Sequence, residues 1–352
     1  MVVEGGRQVW IARGEGYTIF QAVRDMALKV PRRLYWAHCT AVIVGEQAAR
    51  SGLTAILDFG DRDAELRRGT NILVVRGRAE EIIIESEGSL EQTVGMEIVG
   101  LKKVASIDGH SRVTSIHEVL LDLAAPGADP FTGSVEIKDN PALVGTDAGG
   151  GQGGGASSGG SSGEGQPTKF LRLAGLAQLR HDRLADFLDP TEARGLLWVR
   201  GGIASGIINV KSPSDFKGQP AWVALEVLRV SQGIEVQARE NRPEITVKVN
   251  MELSLAQQSS PGDLTMPAPA LSMERQAATV VANEIQAVVA KAKSLNVDPF
   301  AFGEAIHQQQ PKLWKELEKD WPQGLKDLDI KVECKARIRR SALSGKGPQE
   351  NP

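Results

Sequence analysis

The sequence predicts an α+β protein, with an N-terminal mixed α/β domain and a C-terminal antiparallel sheet packed against long helices. Three features of the 352 residues predict this class. A Gly/Ser-rich segment divides the chain, strand-like and helix-like segments alternate before it, and strands followed by long amphipathic helices come after it. Hairpin-paired strands with helices gathered on one face are typical of α+β domains.

The Gly/Ser-rich segment is the clearest domain boundary. The chain has 38 glycines, about thirteen more than average usage would give. Ten glycines lie between Gly149 and Gly165, and such a composition is typical of a flexible linker. We therefore expect an N-terminal domain at 1–145, a linker at 146–168, a C-terminal domain at 169–345 with 169–218 as a candidate subdomain, and a disordered tail at 346–352.

Composition and charge exclude several classes of protein. The chain has no apolar run long enough for a membrane-spanning helix, and its first residues lack the charged leader and apolar stretch of a signal peptide. The net charge of −3 does not indicate nucleic-acid binding. Cys39 and Cys334 are too far apart in sequence to indicate a disulfide framework or a metal knuckle.

The N-terminal elements follow from hydrophobic periodicity and from cap residues. Thr18 is a good N-cap, and apolar residues then recur at helical spacing until Pro31 ends the helix. A β-rich run ends at Gly45, and a second helix follows despite Gly52. In chain order we expect strands at 8–12, 34–44 and 71–75, and helices at 18–30, 47–59, 78–85 and 115–123.

After the linker, strands come before the long helices. Two strands at 171–179 and 184–188 indicate a hairpin, and Asp189 followed by Pro190 begins a short helix towards Leu197. Apolar and polar residues alternate from 245 to 255, which predicts a strand with one buried face. We also expect strands at 206–210, 221–230, 234–239 and 330–339, and helices that begin near Leu271, at Asp298 and at Pro311.

No familiar catalytic pattern is present, and we expect neither a metal nor a cofactor. The five histidines are scattered, and neither a nucleophile elbow nor a zinc-protease motif occurs. Asp298, Glu304 and His307 stand at helical spacings and are the residues that an unfamiliar hydrolase would use. We favour the simpler interpretation, in which Asp298 caps a helix and Glu304 forms a surface or interhelical hydrogen bond.

A basic stretch near the C-terminus has two interpretations. Alternation with apolar residues favours the wet face of an edge strand, where charges prevent sheet-to-sheet association. The other interpretation is contact with anionic lipid headgroups or an acidic partner. The basic residues in question are Lys331, Lys335, Arg337, Arg339, Arg340 and Lys346, against the single acidic residue Glu333.

Several blocks of residues resemble one known family. The C-terminal block reads Asp298-Pro-Phe-Ala-Phe-Gly-Glu-Ala-Ile-His307 and continues to Trp314 and Trp321, and further blocks lie at 15–24, 31–38, 42–46, 49–53, 57–63, 184–198 and 242–249. In order and spacing, these blocks are similar to the C subunit of spore germination receptors, the Ger(x)C (GerAC-like) lipoprotein family. The positions that carry the resemblance most clearly are Asp298, Phe302, Gly303, Glu304, Trp314, Gly195 and Trp198.

The resemblance implies a non-enzymatic subunit of a nutrient-sensing complex at the spore inner membrane. Its partners would be two membrane proteins, the A and B subunits. Family members are held on the outer face of the membrane by a diacylglycerol on an N-terminal cysteine, and this sequence departs from that pattern because no lipobox cysteine precedes Gly14. The resemblance also implies that the family-motif positions have a structural role.

A second function from another class remains open. The aromatic residues near Phe302 and Trp314 would form the pocket of an extracytoplasmic protein that binds a small molecule. Calorimetry with amino acids and sugars separates this possibility from docking, which predicts no heat of binding.

Overall fold

The computed structural model describes residues 11–30, 34–63, 65–85, 91, 93–139, 169–214, 218–240 and 242–341. Most of the strand expected at 8–12, the linker expected at 146–168 and the tail expected at 346–352 lie outside these residues, as does Lys346. Among the described residues, the strands form two sheets.

The first sheet has the strand order β1-β2-β4-β5-β6, and β3 pairs with β2. The strands β1, β2 and β4 are parallel to one another, whereas β5 and β6 are antiparallel to their neighbours. Their bounds are β1 Ala41–Gly45, β2 Asn71–Val75, β3 Thr114–Ser115, β4 Phe131–Asp139, β5 Lys169–Arg180 and β6 Arg183–Leu188.

Helices cover both faces of the first sheet. In β2, Ile72 and Val74 belong to one hydrophobic cluster and Leu73 and Val75 to another, because successive side chains of a strand point to opposite faces. The single helix predicted over 47–59 is two helices, which are separated at Gly52 with φ +131°. The helices are α1 Ile19–Lys29, α2 Glu46–Ser51, α3 Thr54–Arg62, α4 Ala79–Glu85, α5 Val94–Asp108 and α6 Ile116–Ala124.

The second sheet has the order β10-β9-β8-β7 and is covered by helices. Alternate residues of β9 are buried, as the period-two pattern predicts, and α8 packs its apolar stripe against them. The bounds are α7 Pro190–Arg200, β7 Ile207–Lys211, β8 Trp222–Arg239, β9 Arg242–Gln258, α8 Pro267–Leu295, α9 Phe302–Gln309, α10 Pro311–Leu317 and β10 Asp329–Ser341.

The α+β class is confirmed, with corrections inside the second sheet. The strand β10 is parallel to β9, so this sheet is mixed and not wholly antiparallel. The strands predicted at 221–230 and 234–239 are one long strand, β8, which follows β9 through two register shifts. The local sequence at 231–233 suggested a break, but pairing with β9 keeps these residues in the strand.

The hairpin of β5 and β6 follows the linker in sequence but belongs to the first sheet. We expected residues 169–345 to form the C-terminal domain, but β5 pairs with β4 along most of its length. The apolar side chains of Leu179, Leu184 and Phe187 pack into a cluster of the first sheet. The Gly/Ser-rich segment therefore connects two adjacent strands of one sheet.

Candidate functional site

The segment before α9 holds a buried carboxylate. Asp298 is fully buried, and its side chain accepts hydrogen bonds from the backbone N–H groups of Phe302 at 3.1 Å and Gly303 at 2.8 Å. The helix expected to begin at Asp298 begins instead at Phe302. The backbone N–H groups at the start of a helix have no partner within the helix. Asp298, four and five residues before Phe302 and Gly303, accepts hydrogen bonds from two of them.

A second buried carboxylate joins this segment to the N-terminal sheet. Asp129, just before β4, accepts a hydrogen bond from the backbone N–H of Asp298 at 2.8 Å and from that of His181 at 2.7 Å. The backbone N–H of Asp129 donates in turn to the Asp298 carbonyl oxygen at 2.9 Å. One side chain therefore connects three segments that are distant in sequence.

The Asp298 carboxyl has an unusual electrostatic environment. Burial raises the pKa of the Asp298 carboxyl from 3.8 to about 7, although the hydrogen bonds from Gly303 and Phe302 lower it. The charge of Asp129 also raises this pKa, and that of Arg200 lowers it. The positive side chain of Arg200 is in turn 2.5 Å from the Asp122 carboxylate.

Two glycines allow close contact between the same parts of the chain. A Cβ atom on Gly127, which has φ +69°, would lie 2.4 Å from the Trp314 ring and 2.9 Å from the Cα of Gly303. A Cβ atom on Gly303 would lie 2.7 Å from the Gly127 carbonyl oxygen. The Trp321 indole N–H donates to that same oxygen at 2.8 Å.

These contacts form one structure, which we call the joint. It ties the loop before β4 to the segment that begins α9 and to the aromatic residues after it. The joint consists of Gly127, Asp129, Asp298, Gly303, Trp314 and Trp321.

Of the two residues proposed for an aromatic pocket, Trp314 borders a cavity and Phe302 does not. Phe302 is fully buried and stacks on Phe300 with ring centroids 5.0 Å apart, so it lines no open space. Trp314 borders a cavity of about 270 Å³ together with Asp129, His181 and Trp321. The cavity lies beside the joint and is slightly smaller than most ligand pockets.

The structure does not gather Asp298, Glu304 and His307 into a catalytic group. The Asp298 carboxylate binds backbone N–H groups inside the protein, Glu304 accepts a hydrogen bond from Gln308 at 2.9 Å, and the exposed His307 ring contacts Trp314. Among the described residues, no hydrogen bond or ion pair joins any two of the three. The described part of the chain also has no group of three or more His, Cys, Asp or Glu that could hold a metal ion.

The family-motif positions Gly195 and Trp198 lie where α7 crosses α8. A Cβ atom on Gly195 would lie 2.4 Å from the Glu284 carbonyl oxygen, so the crossing requires glycine. The buried carboxylate of Glu284 accepts hydrogen bonds from the Trp198 indole at 2.9 Å and from the Arg194 guanidinium, whose Nε is 3.0 Å away. The polar atoms buried at this crossing are therefore paired.

The basic residues near the C-terminus lie on β10, an edge strand of the second sheet. The side chains of Lys331, Lys335, Arg337 and Arg339 are exposed and alternate with residues that face the helices. Lys331 pairs with Glu244, and Arg339 with Glu252. The side chain of Arg340 lies outside the described set.

Cys39 and Cys334, the two cysteines of the chain, are half-buried. Burial raises the pKa of both thiols, and that of Cys334 reaches about 12. Both are therefore thiols at neutral pH, the less reactive form. Among the described residues, no helix is both long and apolar enough to span a membrane.

Sequence reasoning missed two residues of the joint. Gly127 and Asp129 lie in a short loop, and their interaction partners are far along the chain; 169 residues separate Asp129 from Asp298. A glycine and an aspartate before a proline are ordinary turn signals. Nothing local in the sequence distinguishes these two from any other turn residues.

Comparisons with known proteins agree with this architecture. A family model described as the spore germination protein N-terminal domain matches residues 3–137, and one described as "Spore germination B3/GerAC like, C-terminal" matches residues 174–342. Together the two models match most of the chain.

Individual relatives match over nearly the same length. Spore germination protein KC of Bacillus subtilis (strain 168) is 27% identical over 94% of this chain and 78% of its own length. Spore germination protein B3 of the same organism is 22% identical over 94% of this chain and 80% of its own length.

The fold is also similar to a solved structure. The crystal structure of the GerBC protein superposes with a TM-score of 0.57 and 18% identity, covering 90% of this chain and 84% of that one. At this identity the similarity shows the fold alone, and the family models and relatives show the family. The chain belongs to the Ger(x)C family of spore germination receptor C subunits.

Proposed function

We propose that the chain is the C subunit of a nutrient germinant receptor. It supports germination by docking against the A and B membrane subunits at the spore inner membrane, and it has no enzymatic activity of its own. The observation that supports docking is the position of the family-motif residues Asp298, Gly303 and Trp314 in the joint, between the two parts of the chain. A joint with buried, paired polar groups presents the surfaces of both parts to a partner in one geometry, and such preorganisation reduces the entropic cost of binding.

The proposed position at the membrane is supported by the edge strand β10. Lys335 and Arg337 are exposed on its outer face, and neither forms an ion pair with another described residue. A basic residue near an anionic membrane surface contributes about 1 kcal/mol to binding. These two side chains are therefore the part of β10 that is free to meet lipid headgroups or an acidic partner.

Deletion of the gene in its own spore former tests this proposal. We expect deletion spores to lose the fall in optical density that specific nutrients trigger and to keep germination by nutrient-independent triggers. A tagged copy of the chain that restores the response should co-purify with both membrane subunits from detergent-solubilised membranes. Normal nutrient germination of the deletion strain, or co-purification with neither subunit, would contradict the proposal.

The alternative is a small-molecule binding protein, and the cavity beside Trp314 is the observation that favours it. Its lining includes Trp314 and Trp321, aromatic residues that could receive a small cationic or amino compound. Calorimetry with a panel of amino acids and sugars distinguishes the two functions. Docking alone predicts no heat of binding, whereas the alternative requires saturable heat.

A further inference from the structure

The tip of the β5–β6 hairpin carries two arginines directly opposite each other. Arg180 and Arg183 are a cross-strand pair that flanks the turn at 181–182, and both side chains are exposed. Paired residues of a hairpin lie on the same face of the sheet, and like charges in this position destabilise the pair. The hairpin therefore places the bases of two positively charged side chains next to each other, an arrangement that like charges disfavour.

No acidic side chain among the described residues forms an ion pair with either arginine, although the charge of Arg183 acts on the neighbouring Asp182 carboxylate. Neither guanidinium forms a hydrogen bond or ion pair with another described residue. The Asp182 carboxylate between them accepts hydrogen bonds from the Thr54 hydroxyl at 2.5 Å and the Thr54 backbone N–H at 3.2 Å. The hydrogen bond from that hydroxyl is the main cause that lowers the pKa of Asp182, and the charge of Arg183 contributes to the same shift.

The turn that carries the two arginines is fixed from several sides. The Asp182 carbonyl oxygen accepts a hydrogen bond from the Leu53 backbone N–H at 2.8 Å. The His181 backbone N–H donates to the Asp129 carboxylate at 2.7 Å, in the joint. Because contacts to the N-terminal helices and to the joint hold the turn, the backbone at the base of both arginines is preorganised.

A cleft of about 540 Å³ lies beside this turn. Arg50 of α2 contributes a third guanidinium to its wall, held by Glu46 at 2.8 Å and by the Ala185 carbonyl oxygen at 3.5 Å. We call this site the arginine cleft, and it is lined by Arg50, Arg180, His181, Asp182, Arg183 and Leu295 among others. Its volume is within the range of ligand pockets.

We infer that the arginine cleft is a binding site for a phosphate group. The planar guanidinium donates two parallel N–H bonds to phosphate oxygens, and two guanidiniums carried by a cross-strand pair can converge on one phosphate. The bound anion would remove the repulsion between Arg180 and Arg183. The phosphate belongs either to the headgroup of an anionic phospholipid or to a soluble phosphate compound, and the chemistry of recognition is the same.

Two binding assays with one pair of variants test this inference. The first is calorimetric titration of the full chain with inorganic phosphate, and the second is co-flotation with vesicles of equimolar phosphatidylglycerol and phosphatidylcholine. The test variant is R180Q/R183Q. The control is R24Q/R229Q, which removes two exposed arginines elsewhere and makes the same change in net charge.

In whichever assay detects binding of the wild type, we expect R180Q/R183Q to bind phosphate or the vesicles at least about tenfold more weakly. We expect R24Q/R229Q to bind them as the wild type does. If the chain floats with the phosphatidylglycerol vesicles but not with vesicles of phosphatidylcholine alone, the bound phosphate belongs to the anionic lipid headgroup. Calorimetric binding without flotation would identify a soluble phosphate compound. Absence of binding in both assays, or an equal loss in the control variant, would overturn the inference.

Discussion

The Trp321 indole N–H donates a hydrogen bond to the Gly127 carbonyl oxygen at 2.8 Å, across 194 residues of sequence. This bond ties the segment after α10 to the loop before β4, and the two glycines of the joint allow the approach. Because the chain packs closely against Gly127 and against Gly195, we expect a methyl group at either position to lower stability.

Gly127→Ala should destabilise the protein strongly. The new Cβ atom would lie 2.4 Å from the Trp314 ring and 2.9 Å from Gly303 Cα, and Gly127 has φ +69°. Steric overlap and left-handed strain together should cost roughly 3 kcal/mol of unfolding free energy. Urea unfolding followed by tryptophan fluorescence measures this loss.

Gly218→Ala is the matched control for this prediction. Gly218 has φ +72°, but a Cβ atom there would meet nothing within 4 Å. Only the conformational strain applies, at about 1 kcal/mol. Equal losses in both variants would mean that the joint tolerates a methyl group at Gly127 and that its packing is not specific.

Gly195→Ala should weaken the crossing of α7 and α8. Alanine favours a helix by about 1 kcal/mol over glycine, but its Cβ atom would lie 2.4 Å from the Glu284 carbonyl oxygen. We expect a net loss of roughly 2 kcal/mol in thermal or urea unfolding. Gly100→Ala in α5, where nothing lies within 4 Å of the new atom, should instead leave stability unchanged or raise it. A stabilised Gly195 variant would contradict the close approach of the two helices.

Glu284→Gln should leave the partly buried Arg194 without its counter-ion. The amide can still accept from the Trp198 indole, so the test isolates the charge. Removal of one partner of a buried pair costs roughly 3 kcal/mol. Glu46→Gln breaks the exposed helical pair with Arg50 and should cost about 0.5 kcal/mol or less. Similar unfolding midpoints for the two variants would contradict the importance of the Arg194–Glu284 pair for the crossing of α7 and α8.

Asp298 should make stability depend on pH between about 4 and 7. Its pKa is 3.8 in the unfolded chain and about 7 in the folded protein, so the folded state binds more protons in this interval. Stability is therefore highest below the unfolded pKa and falls as pH rises towards 7, by up to roughly 4 kcal/mol from this group.

Asp298→Asn removes this titration and makes the prediction measurable. We expect the stability of the wild type minus that of the variant to decrease from pH 4 to pH 7 and then to level off. The exposed Asp327→Asn makes the same substitution at a surface position and is the control. A difference for Asp298→Asn that stays constant or grows with pH would contradict the raised pKa.

Local signals predicted many of the helices and strands. Asp189 and Glu192 form a capping box at the start of α7, as the sequence Asp189-Pro190-Thr191-Glu192 suggests. The alternation over 245–255 predicted β9 because one of its faces is buried and the other is wet. In both cases the information lies within a few neighbouring residues.

The elements that sequence reasoning missed lack such local patterns. In α5, apolar residues are present on both the buried and the exposed sides, so Ile98 and Val104 define no single stripe. The strand β4 begins with the buried polar residues Thr132 and Ser134, and the Thr132 hydroxyl donates to the Ile72 carbonyl oxygen of β2. Its stability depends on strands that are distant in sequence.

The candidate site was predictable only in part. Asp298, Gly303 and Trp314 were singled out through a family resemblance, whereas their contact with Gly127 and Asp129 depends on the packing of two sheets. The sequence shows Arg180 and Arg183 on either side of the turn of a predicted hairpin. That Asp182 accepts a hydrogen bond from the Thr54 hydroxyl, and forms no ion pair with either arginine, depends on a contact between residues distant in sequence.

The connection between β4 and β5 also determines how the chain can be divided. Since these neighbouring strands are hydrogen-bonded from Phe131 to Asp139, a cut between them would produce two fragments that share one sheet. Such fragments would stay associated in native buffer and separate only in denaturant. The same position is suited to inserting a reporter domain, because adjacent strand ends remain adjacent when the connection between them is lengthened.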